Sequence, residues 1–278
     1  MSDLSLKFLD DGTTDAGPGR YADKRAFDVL QRYLQSQLSV KETAKEITAM
    51  LPEPEARKTR GAEIGLFGSF LCQIARQIPY SHPAQTRLVQ LIQRVSHSPK
   101  LTGQGDDDGY MICFTMDDFK SQLREWFTPI FEDDPEDTNQ YSHALNFSAF
   151  LARLTQCGFL SYSPLSIWTM RGSLEEKIDH QEAFDCSVSS AALWIMFAGQ
   201  ATYTQVVEAP FPEKAEGIYR SGSLYRGPEL GLERWRFWKE ALMAAVEKKG
   251  ASDECRHLAH GAAELMGDIE LNMEFSFA

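Results

Sequence analysis

The sequence predicts an all-α protein, an irregular multi-helix bundle of about ten helices, with stacked helix pairs as the alternative arrangement. Three observations predict it. Apolar residues recur at three- and four-residue spacing in nearly every segment. Capping and stop residues punctuate those segments at helical lengths. No run of alternating β-branched residues is long enough for a sheet, and only Met111–Phe114 reads as a short extended piece.

The elements follow in order. Residues 1–18 read as a flexible lead-in, because Asp10-Asp11-Gly12 and Gly17-Pro18-Gly19 are turn and coil chemistry. A first helix is expected over Tyr21–Leu38, where Phe27, Leu30, Leu34 and Leu38 repeat at helical spacing. Ser39 and Glu42 make a capping-box pattern that starts a second helix, and Pro52 and Pro54 stop it at Leu51. A third runs from Gly61 to Ile78, with Ile64, Phe67, Leu71, Ile74 and Ile78 on one side. Ser81-His82-Pro83 opens a fourth that ends near Val95, since proline costs little in a first turn.

Residues 96–110, rich in Gly, Ser and Asp, form the clearest loop. They are the candidate internal boundary of a helical domain spanning 19–278. Helices are then expected over Thr115–Phe131, where Pro129 kinks or ends the last turn, and over Asn139–Cys157. Gly158 closes the second of these as a left-handed cap. Ser163-Pro164 starts another helix, to Lys177. Glu182–Val207 is apolar on nearly all sides and is expected to be central and buried. Residues 209–228 hold three prolines and three glycines and read as a long irregular connection. A tryptophan-rich helix follows over Glu229–Lys248, ended by Gly250, and Ser252 caps a last helix to Asn272.

Composition narrows the function classes. The 278 residues suffice for one large domain or two modest ones. Net charge is −12, which argues against a nucleic-acid surface, where clustered Lys and Arg are needed, and against docking on anionic lipid. No stretch approaches the ~20 apolar residues of a membrane helix, so no membrane partner is expected. The N-terminus lacks the basic and apolar regions of a secretory signal. Five well-separated cysteines without a C-x-x-C pair read as reduced thiols, and the expected location is cytoplasmic. The sequence sets no oligomeric state, and a homodimer is compatible with it.

Three segments carry a resemblance. They are ALNFSAFLARLTQCG (144–158), PLSIWTMRGSLEEK (164–177), and LERWRFWKEA (232–241) followed by GAAELMGDIE (261–270). In this order and spacing the chain resembles the fungal family designated domain of unknown function 3632, over roughly residues 20–272 and most closely from 140 onward. The resemblance implies a cytosolic helical protein of filamentous fungi whose relatives accompany specialised-metabolite gene clusters. It implies no reaction and assigns no catalytic residue.

Candidate site residues come from helical geometry. On the buried helix 182–207, Asp185, Ser189, Gln200 and Tyr203 share a polar stripe with Met196. Buried polar groups need partners, so the stripe reads as a pocket lining, as a structural network to neighbouring helices, or as a partly exposed face. As a lining, Asp185 would serve as general base and Tyr203 would donate to a substrate oxygen. His143 projects with Phe150, Leu154 and Cys157 on the apolar side of its helix, with Asn146 at the edge. It reads as a base or shuttle, or as a satisfied core histidine. Trp168, Arg171 and Glu175 share a face, offering a guanidinium beside an aromatic wall, or only an i, i+4 ion pair. Glu254, His257, His260 and Glu264 have metal-like spacing, but the apolar side of their helix points elsewhere and the group reads as a solvated face. Trp235, Trp238 and Leu242 form a core seam, while Arg234, Arg236 and Lys239 spread around that helix.

No dinucleotide, P-loop, nucleophile-elbow or H-E-x-x-H motif is present, so no cofactor and no metal are expected. The expected function is that of a small-molecule-binding helical protein of fungal specialised metabolism. It would be a cofactor-independent enzyme that cyclises, isomerises or moves a proton on a hydrophobic intermediate. Its catalytic groups would be Asp185, Tyr203, His143 and Arg171. Ser189, Gln200, Asn146, Trp168 and Met196 would bind substrate. The alternative is a helical protein–protein interaction module with no catalytic activity.

Overall fold

The computed structural model describes residues 4–8, 21–56, 62–101, 123–127, 139–160, 164–208 and 217–274. The chain divides into two compact units, Met1–Thr128 and Pro129–Ala278. The described residues contain nine α-helices with defined ends, a further helical stretch over 123–126 and no strand, an all-α multi-helix bundle as expected. Most of the expected helix 115–131 lies outside the described residues, as do 102–110 of the expected boundary loop and Met111–Phe114.

In the first unit, α1 is Asp23–Leu34, α2 Val40–Met50, α3 Ala62–Gln77 and α4 Ala84–Ser96. The capping box forms as its sequence requires: Glu42 N–H donates to Ser39 Oγ at 3.2 Å, and Ser39 N–H donates to Glu42 Oε2 at 2.9 Å. The first helix is shorter than its periodicity suggested. Ser36 takes a left-handed φ of 67°, and Gln37 N–H reaches back to the Arg32 carbonyl at 2.8 Å. That is the backbone closure usually supplied by glycine, so no glycine marked the stop. Side chains finish other helix ends. Buried Gln85 donates to the carbonyls of Ala75 and Ile78, and Arg87 donates to that of Leu34. Residues 4–8, expected in the flexible lead-in, are tied to α3. There Lys7 N–H donates to Gln77 Oε1 at 2.7 Å, and Gln77 Nε2 donates to the Lys7 carbonyl at 3.1 Å.

The second unit contains α5 (Gln140–Gln156), α6 (Leu165–Leu174), α7 (Gln181–Tyr203), α8 (Leu232–Glu247) and α9 (Asp253–Glu274). Gly158, at φ 79°, closes α5 as expected, and Ser252 Oγ caps α9 by accepting from Cys255 N–H at 3.2 Å. The expected central helix is α7, which continues as a π-helical turn over Thr204–Glu208. Its residues Cys186 to Ile195 are all buried, and it packs against α5, α6 and α9.

Contacts at its two ends fix the direction of each neighbour. Helix α5 starts beside Cys186, whose thiol donates to the Tyr141 carbonyl, and later places Arg153 over the Phe197 ring. Helix α9 starts at Asp185 and brings Ile269 to Gly199. Both therefore run parallel to α7. Helix α6 begins near the far end, where Ser166 Oγ donates to Gln205 Oε1. Helix α8 begins there too, since Gly231 N–H donates to the Val206 carbonyl, and it finishes with Lys248 over the Phe184 ring. These two run antiparallel to α7. The core between α7, α8 and α9 is aromatic, with Trp194, Trp235 and Trp238 fully buried.

Candidate functional site

The polar stripe of α7 divides into parts with different surroundings. At its start, Asp185 is half-buried and both its oxygens are engaged. Oδ1 accepts from Gln181 Nε2 at 2.8 Å, and Oδ2 accepts from Ser252 N–H at 2.9 Å. A carboxylate at the start of α9 is favoured by the partial positive charge of a helix N-terminus. Ser189 is buried beside Cys255 on that helix. Burial raises the Cys255 thiol to about 11 and the Cys186 thiol to about 12, and the nearby Asp185 charge pushes in the same direction. Both thiols therefore stay protonated and unreactive near neutral pH.

Further along α7 the stripe is not a buried pocket lining but a partly exposed face. Met196 is 41% exposed and Gln200 is also exposed. The helical wheel places them on one side of α7, but that side lies between the faces covered by α5 and α9, and there it opens to solvent. Tyr203 is buried, with its ring edge-on to Trp235 at 5.0 Å. His143 lies in the first turn of α5 and is half-buried, less enclosed than Phe150 and Leu154 further along the helix. Asn146, one turn on, is buried.

The face of α6 holds the largest departure from sequence reasoning. Glu175 does not pair with Arg171 along the helix. Its carboxylate turns inward to Arg234, and both side chains are fully buried. Arg234 Nε donates to Glu175 Oε1 at 2.6 Å and Nη2 donates to Oε2 at 3.1 Å, a two-pronged pairing. Trp238 Nε1 also donates to Oε1 at 2.6 Å, and Gly222 N–H to Oε2 at 2.6 Å. The remaining guanidinium N–H groups reach the carbonyls of Tyr219 (2.6 Å), Glu229 and Arg220 (3.2 Å). All five guanidinium donors are used and the carboxylate accepts four bonds, so the pair is saturated. Arg234, expected among residues merely spread around its helix, is thus the anchor of the irregular connection. The available signal was its position one turn before Trp238.

That anchor lays residues 218–224 along α6. Trp168 Nε1 donates to the Ile218 carbonyl at 2.9 Å, and Leu224 N–H donates to the Glu175 carbonyl at 2.8 Å. The segment leaves Ile218 38% and Leu224 54% exposed, with half-buried Trp168 and Arg171 alongside. Burial lowers the Arg171 pKa, and the charges of Arg220 and Arg234 add to that against the opposing pull of Glu175 and Glu176. The structure therefore brings together two of the expected residues, Trp168 and Arg171, with Ile218, Arg220 and Leu224, which helical periodicity does not reach.

On α9, His257 and His260 are exposed, and His260 Nδ1 lies 3.4 Å from Glu264 Oε2. Among the described residues no group of three or more His, Cys, Asp or Glu side chains is placed to hold a metal ion, and no helix is long and apolar enough to cross a membrane. A family model described as "Protein of unknown function (DUF3632)" matches residues 69–242, more than half of the chain. No curated protein and no solved structure matches it.

Proposed function

This chain belongs to the DUF3632 family of proteins of unknown function, and we propose that it is a small-molecule-binding helical protein that holds a hydrophobic intermediate of fungal specialised metabolism. The binding face is the side of α6 along which residues 218–224 run. The observation that carries this reading is apolar surface held open on a fixed frame. Ile218 and Leu224 stay exposed although the segment bearing them is tied down at Trp168, Glu175 and Arg234. A surface ordered before the ligand arrives loses little further freedom on binding.

The reading needs no cofactor. Of the four residues expected to carry chemistry, Arg171 is the one on this face, and cyclisation or isomerisation would draw on its guanidinium. Proton transfer at Asp185 would first have to break its bonds to Gln181 and Ser252.

The neutral dye Nile red tests the binding reading. Saturable fluorescence enhancement is expected with the native protein. Trp168→Ala and Leu224→Ser are each expected to weaken it about tenfold, equivalent to about 1.4 kcal/mol. Titrations indistinguishable from wild type in both variants would sink it. A helical interaction module is the second reading, favoured by exposed Met196, Met243 and Leu271.

A further inference from the structure

We infer that the ligand of this face is an organic carboxylate, gripped by Arg171 and Arg220 while its apolar body lies against Trp168 and Ile218. The inference rests on the binding reading above and names the ligand class.

The juxtaposition follows from the backbone. Ile218 is fixed at Trp168, and Gly222 is fixed at Glu175, two helical turns further along α6. The segment between them runs beside the helix and brings Arg220 level with Arg171. Among the described residues neither guanidinium makes a hydrogen bond or an ion pair. A helical arginine ordinarily finds its counter-ion one turn away, and for Arg171 that residue is Glu175. The Glu175 carboxylate is already occupied by Arg234, Trp238 and Gly222. The nearest acid has thus been withdrawn into the core, and exposed Glu176 is the other acid whose charge Arg171 feels.

What remains is excess positive charge in a chain whose net charge is −12. Arg171 is half-buried, so its guanidinium has given up part of its hydration without gaining a hydrogen bond or ion pair among the described residues, and only the more distant charges of Glu175 and Glu176 act on it. An incoming carboxylate restores that loss with short charge-assisted bonds, which the planar guanidinium presents in matching geometry. The indole of Trp168, three residues before Arg171, supplies the flat apolar wall for the ligand body.

Titration of the full chain with 2-naphthoate and with the neutral 2-naphthylmethanol tests the inference. Wild type is expected to bind the carboxylate about tenfold more tightly or better, the effect of a charge-assisted contact. Arg171→Gln should remove most of that preference while leaving the alcohol's affinity in place. Arg220→Gln should remove part of it, and Arg171→Lys should keep part. Unchanged thermal melts establish that the variants fold. Equal affinity for the two probes, or full preference retained in Arg171→Gln, would overturn the carboxylate assignment and leave the binding reading standing. Displacement of 2-naphthoate by equimolar inorganic phosphate would overturn it in favour of a free oxyanion. Binding of neither probe would overturn both.

Discussion

Replacing Arg234 by methionine is expected to destabilise the Pro129–Ala278 unit by about 3–5 kcal/mol, the cost of leaving a buried charge without its partner. Glu175 would remain fully buried with only Trp238 and Gly222 as donors. The carbonyls of Tyr219, Arg220 and Glu229 would lose theirs. Denaturant unfolding followed by tryptophan fluorescence measures the loss. The double variant Glu175→Met with Arg234→Met is expected to be more stable than Arg234→Met alone, because it removes both charges. It should still fall below wild type, since the three carbonyls stay unserved. A loss under about 1 kcal/mol in the single variant would show that water substitutes for the guanidinium and that the pair is not closed.

Gly222→Ala is expected to cost about 3 kcal/mol, from steric overlap together with a lost charge-assisted hydrogen bond. An added Cβ would lie 2.6 Å from both the Glu175 Cβ and the Glu175 carbonyl oxygen. The carbonyl is backbone at the end of α6 and cannot swing aside as a side-chain tip would. The segment must therefore lift, and the Gly222 N–H bond to Glu175 Oε2 lengthens or breaks. Gly222 does not adopt a left-handed conformation, so the requirement for glycine is one of contact. Lifting the segment also moves Arg220 away from Arg171. The same variant should thus weaken 2-naphthoate binding, while a distant destabilising substitution should not. Thermal unfolding and the naphthoate titration of one preparation read both effects, and a wild-type melting temperature would contradict the close approach.

Local signals in the sequence were sufficient wherever the cause is local. The Ser39–Glu42 box, the Gly158 cap and the Ser252 cap each depend on residues within one turn, and all three form. The end of α1 depends on Ser36 adopting a conformation that its side chain does not advertise. Arg171 and Glu175 show how a local rule misleads. Their spacing favours a surface pair worth a few tenths of a kcal/mol, whereas Arg234 offers the same carboxylate a two-pronged pairing in the core. That competitor is 59 residues distant, and helical periodicity carries no information about it. Met196 and Gln200 make the complementary point. A helical wheel assigns residues to a side, while the neighbouring helices decide whether that side is covered.

The alternation of direction around α7 bears on how the chain reaches this state. Helices α6 and α7 are joined through residues 175–180, and α8 and α9 through residues 248–252, so these pairs meet without closing a long loop, whereas α8 is separated from α7 by residues 204–231. Such local pairs form quickly, and α7, against which α5, α6 and α9 pack, is the natural site for the first docking events. The Glu175–Arg234 pair spans 59 residues and requires α6, α8 and the connecting segment to be in place together. It belongs to the late side of the folding barrier. Its removal should therefore leave the refolding rate nearly unchanged and accelerate unfolding, giving the unit its persistence rather than its speed of formation.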